Sequence, residues 1–110
     1  MARVLLVTGD LLFGSKLDGA LRAAGYEVTV AGPAAALECA AAADVLVLDL
    51  QADGLDLAAL AGSGPRTLGY YSHVDADVRD AALAAGIERA VPRSRMNREA
   101  GDLVAGLLAG

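Results

Sequence analysis

The chain has 110 residues, of which 55% are hydrophobic and only 4% aromatic, and a formal net charge of −5. That length makes one domain, residues 1–110, able to bury a core of Ala, Leu and Val without disulfide or metal staples. The acidic balance excludes non-specific nucleic-acid binding, which needs clustered cations to displace counterions.

In "RVLLVTGDLLFG", Val4–Val7 form a short continuous apolar run, the mark of a strand covered on both faces. From Leu12 to Ala24 the spacing becomes helical, with Phe13, Leu17, Ala20, Leu21 and Ala24 on one face and Lys16, Asp18 and Arg22 off it. Gly25 suits a left-handed helix end. "YEVTVAG" reads as the second strand, and Pro33 opens a helix that the Ala-rich run 34–43 continues. "DVLVLDL" is the most apolar strand and so the central one. Asp53 is the expected cap of a short helix over Leu55–Ala61, and "GSGP" breaks the chain. "RTLGYY" is a fourth strand. A helix capped by Asp75 follows, with Val78, Ala81, Ala82 and Ala85 inward, ending at Gly86. "IERAVP" is the fifth strand, and Met96–Leu108 the last helix.

Five strands alternating with five helices imply parallel βαβ units, right-handed crossovers and helices on both faces of one sheet. Ligands of such folds sit at the carboxyl ends of the strands. The positions that matter are therefore Thr8–Asp10, Gly32, Asp49–Gln51, Tyr71–His73 and Pro92–Ser94. Asp49 ends the central strand, where a carboxylate can act as nucleophile or ligand, or cap the next turn.

Length, element order, Asp49 after the third strand, a hydroxyl after the fourth and a cation after the fifth together resemble the receiver domain of two-component response regulators. "DAALAAGIERAVPRS" carries the resemblance furthest, with Arg93 at the family's Lys position and Ser94 at its Pro position. The resemblance implies an α/β, flavodoxin-like three-layer αβα sandwich with a five-stranded parallel sheet in the order 2-1-3-4-5. It further implies Asp49 as the phosphoacceptor and Ser72 and Arg93 as phosphate contacts that report its arrival. Mg²⁺ in this family is held by acidic residues after the first strand.

The departures lie in that site. Thr8 and Gly9 stand where the acidic pair belongs, and neither offers a carboxylate to Mg²⁺. Asp10 is one step further along, so with Asp49 it offers only a weak substitute site, and Mg²⁺ is expected to bind weakly or not at all. The loop "QADG" after Asp49 is short and lacks the family's Pro. Tyr71 competes with Ser72 for the switch-hydroxyl position, and Ala90 replaces the usual switch aromatic. Arg93 keeps the charge of a Lys but presents a planar fork.

Other chemistry is weakly signalled. The Thr8–Gly9 turn lacks the G-x-G-x-x-G spacing of a dinucleotide site, and no acidic residue closes "YEVTVAG". His73 has no partner for a metal site, and Cys39 reads as a small buried hydrophobe. The arginines 89, 93, 95 and 98 read as a solvated face. One cysteine, no bilayer-length apolar run, and a first strand that begins near Met1 point to a cytoplasmic domain off the membrane.

The sequence thus reads as an atypical stand-alone receiver, not an enzyme, with no cofactor. It is expected to work through a protein partner or a homodimer on helix 4, strand 5 and helix 5, where Tyr70, Tyr71, Arg95 and Met96 are the interface candidates. Two other readings stand beside it: a phosphorylation-competent receiver using Asp49, and a small nucleotide- or cofactor-binding α/β module.

Overall fold

The computed structural model describes residues 1–72 and 76–110, so His73 and the expected Asp75 cap lie outside the described residues. Strands β1 (Arg3–Val7), β2 (Glu27–Ala31), β3 (Val45–Asp49), β4 (Arg66–Tyr71) and β5 (Arg89–Pro92) form one parallel sheet in the order β2-β1-β3-β4-β5. Helices α1 (Leu11–Ala23), α2 (Ala36–Ala40), α3 (Leu57–Ala61), α4 (Ala76–Ala84) and α5 (Arg93–Ala109) connect and flank them. This is the expected flavodoxin-like, three-layer αβα sandwich.

Strand alternation sorts the core into two clusters. Val4, Leu6, Val45, Val47, Leu68 and Tyr70 face α1 and α5, meeting Phe13, Leu17, Leu21, Met96, Leu103 and Val104. Leu5, Val7, Leu46, Leu48 and Tyr71 face the other way, onto Ala36 and Ala40 of α2, Leu60 of α3 and Ala82 of α4. Leu17 and Leu21 are fully buried, each contributing roughly 1.5–3 kcal/mol of burial free energy. Ala20 and Ala24, expected on the same face, are exposed, as is Ala81.

Both Ala-Gly helix ends close alike. Gly25 (φ 97°) and Gly86 (φ 106°) take the left-handed conformation that glycine adopts without a Cβ clash. The next N–H folds back in each case: Tyr26 to the Leu21 carbonyl and Ile87 to that of Ala82, both at 3.1 Å.

Three boundaries differ from expectation. Asp56, not Asp53, caps α3, because Gly54 (φ 88°) is still turning the chain; Asp56 Oδ1 accepts from Ala59 N at 3.1 Å. The Ala-rich run enters through a 3₁₀ turn at Pro33–Ala35, and its helix ends at Ala40. Tight bonds from Ala42 N to Cys39 O and from Ala43 N to Ala40 O then turn the chain into β3. Finally, α5 starts at Arg93, three residues before Met96. Pro92 is extended there (φ −60°, ψ 148°) and serves as its N-cap, and the helix kinks at Glu99 (φ −126°, ψ 21°).

Candidate functional site

The mouth of the site is formed by the ends of β1, β3, β4 and β5. Thr8, buried just past β1, accepts a hydrogen bond at Oγ1 from Asp10 N at 3.0 Å, and its hydroxyl lies 3.3 Å from the Asp10 carbonyl it donates to. A Cβ on Gly14 would come 2.7 Å from Thr8 Cγ2, so α1 packs on this turn only because position 14 is bare. The Thr8–Asp10 segment is thus a tight helix entry.

Asp10 is the N-cap of α1. Its Oδ1 accepts from Leu12 N and Phe13 N, each at 3.1 Å, and its Oδ2 pairs with Nη2 of Arg93. The Phe13 N–H first, and Arg93 second, hold this carboxyl below its ordinary pKa. Arg93 opens α5, and its guanidinium carbon lies 4.2 Å from the centroid of the Phe13 ring. Phe13 in turn meets Tyr70 with centroids 5.0 Å apart at 51°. The Tyr70 hydroxyl is buried, and among the described residues no group stands in hydrogen-bonding geometry to it. Burial pushes its pKa up to about 12; the Asp49 and Asp10 charges add to this, while the nearby Thr8 hydroxyl and Arg93 oppose it.

Asp49 ends β3, half-buried, with Oδ1 accepting from Gln51 N at 3.1 Å. Gln51 Oε1 accepts from Ser72 N at 2.8 Å, which ties the loop after β3 to the end of β4. Ser72 stands half-buried at that strand mouth. Tyr71 belongs to the opposite core cluster, and its phenol interacts with Arg79 of α4. The two residues that competed for the switch-hydroxyl position therefore have different surroundings: one lines the mouth, the other packs under a helix.

Asp10, Asp49, Ser72 and Arg93 all sit at this end of the sheet. Asp10 and Arg93 engage each other directly, so Asp10 acts as a helix cap and ion-pair partner rather than an open carboxylate. Among the described residues no group of three or more His, Cys, Asp or Glu side chains is placed to hold a metal ion.

The expected interface residues need correction. Tyr70 and Tyr71 are turned to opposite faces as alternation requires, but both are buried, and Met96 is fully buried against the sheet. All three are core residues, because β4 lies inside the sheet and α5 begins early enough to carry Met96 onto it. Arg95 is half-exposed and pairs with Glu99 at 3.3 Å. Sequence reasoning assigned Phe13 to the core alone and missed its contact with Arg93. It also missed the Gln51–Ser72 tie; "QADG" marked the loop, but nothing local marked its partner.

No family model and no curated protein matches the sequence. Solved structures do. The signal receiver domain of NarL from Mycobacterium tuberculosis, named as a response regulator, aligns over 99% of this chain and 97% of its own (27% identity, TM-score 0.82). A protein of Chloroflexus aurantiacus, also named as a response regulator, aligns over 99% and 98% (25% identity, TM-score 0.86). The receiver domain of the sensor histidine kinase PA1611 from Pseudomonas aeruginosa, with magnesium in its active-site cleft, aligns over 99% and 98% (18% identity, TM-score 0.83). The fold is that of the response-regulator receiver domain, and the chain is similar to such domains along nearly its whole length. Among the described residues, no helix is long and apolar enough to cross a membrane.

Proposed function

We propose that this chain is a receiver-type signalling domain that acts by protein–protein contact, without Mg²⁺-dependent phosphorylation of Asp49. One observation carries the reading: the Asp10 carboxylate is already engaged by two backbone N–H groups and by Arg93. Thr8 and Gly9 supply no carboxylate in its place. Mg²⁺ needs near-octahedral oxygen ligation, usually with one or two carboxylates, to offset its dehydration. The residues present do not fit such an ion. Asp49 then serves as an Asx-turn acceptor for Gln51 N rather than a nucleophile. The nucleotide-module reading is weaker, because a carboxylate fills the α1 N-terminus where a phosphate would bind.

The test is incubation with acetyl phosphate and MgCl₂ followed by intact mass. We expect no phosphoryl adduct. A stoichiometric adduct that disappears in Asp49→Asn would overturn the reading and restore the phosphorylation-competent receiver.

A further inference from the structure

The mouth of this domain carries its own cation. At a carboxylate site a divalent ion offsets negative charge and holds ligands from separate elements in one arrangement. Arg93 supplies a charge to Asp10 and joins two elements, α5, which it opens, and the start of α1. Its Nη2 pairs with Asp10 Oδ2 across 83 residues of sequence, and its guanidinium lies over the Phe13 ring at 4.2 Å. An ion pair alone sets a distance; a planar guanidinium that is also stacked on an aromatic face has its orientation set as well. Asp10 is itself held by the N–H groups of Leu12 and Phe13, so each member of the pair has a second contact that fixes it. The contact continues inward, since Phe13 packs on Tyr70 of β4.

We propose that Arg93 is the resident cation of this site: it takes the place of a divalent ion on Asp10 and clamps the start of α1 to the β5–α5 junction. The mouth is thereby held in one arrangement without metal. This rests on the functional reading above and names the residue responsible for it. Because both side chains are part-exposed, the clamp acts by fixing geometry more than by contributing stability.

The test compares the ¹⁵N-labelled full chain with its Arg93→Ala and Arg93→Lys variants, by amide chemical shifts and by titration with millimolar MnCl₂. In the wild type, Mn²⁺ should broaden the amides of residues 9–13 and 49–51 no more than those elsewhere. Arg93→Ala should shift amides in both the first turn of α1 and the first turn of α5, with little change in melting temperature. It should also make residues 9–13 selectively sensitive to Mn²⁺. Arg93→Lys keeps charge but not fork or stack and should fall between the two; it serves alone if the Ala variant does not fold. Shifts confined to α5, or equal selective broadening in wild type and variant, would overturn the proposal. A phosphoryl adduct on Asp49 would overturn the functional reading instead, since it is read by mass in a separate experiment.

Discussion

Gly69 and Leu50 pack with no room for a methyl group between them. A Cβ on Gly69 would fall 2.6 Å from Leu50 Cδ2 and 2.7 Å from its Cγ and Cδ1. Replacing a strand glycine with alanine ordinarily gains about 0.5–1 kcal/mol. Here overpacking, at about 1–3 kcal/mol, outweighs that gain, because Leu50 is buried and its branch point as well as its tips is in the way. Gly69→Ala should therefore destabilise the domain in urea unfolding. Combined with Leu50→Ala, it should cost clearly less than the sum of the single changes. A more stable Gly69→Ala would refute the packing argument.

The charge on Asp10 should make stability sensitive to acid. Its folded pKa lies below the ordinary 3.8, so its contribution is complete above that value and disappears as pH falls through the lower folded one. Asp10→Asn retains a capping oxygen and loses only the charge. We expect the gap in melting temperature between wild type and Asp10→Asn to be largest near neutral pH and to close at low pH. Glu88, held down by Arg66, adds acid sensitivity to both proteins alike, so the difference isolates Asp10.

Tyr70→Phe removes a hydroxyl that has no partner among the described residues. At neutral pH the change should be neutral or stabilising, within about 1 kcal/mol, because no hydrogen bond is lost. In alkali the two proteins should diverge. With the folded pKa raised from 10.0 to about 12, the unfolded state ionises first, and wild-type stability falls as pH rises from the one value toward the other. Urea melts between those pH values should show a steeper decline for wild type than for Tyr70→Phe. Equal slopes would contradict the burial of this phenol.

Met96 and Arg95, adjacent in sequence, should behave oppositely. Met96→Ser empties a fully buried position and should cost at least the roughly 2–5 kcal/mol of a Met-to-Ala change, visible as a large drop in urea midpoint. Arg95→Glu replaces an exposed i,i+4 pair with Glu99 by a like-charge pair and should shift stability by only about 0.5 kcal/mol. Arg95→Glu is thus the variant for probing partner binding on the α5 surface, and a folded, fully stable Met96→Ser would contradict the core assignment.

Much of the architecture was legible in local pattern. Short apolar runs bounded by turn residues located the five strands, Gly25 and Gly86 marked two helix ends, and Asp49 was placed at the end of β3, all from interactions within a few residues. Cap choice was less legible: Asp53 and Asp56 are both competent N-caps, and the turn at Gly54 decided between them.

The site itself depended on contacts across the chain. Residue types alone could place Asp10 and Arg93 at one end of a sheet, but not against each other. Strands β1 and β5 are separated by β3 and β4, so strand order by itself does not join them. The two residues meet because α1 and α5 lie on the same face of the sheet, where Phe13 and Met96 enter one core cluster. In that packing the first turns of both helices come within reach of a long guanidinium. The sequence by itself determined the strands, the helices and the chemical groups at their ends; helix-on-sheet packing decided that an arginine, and not open solvent, faces the Asp10 carboxylate.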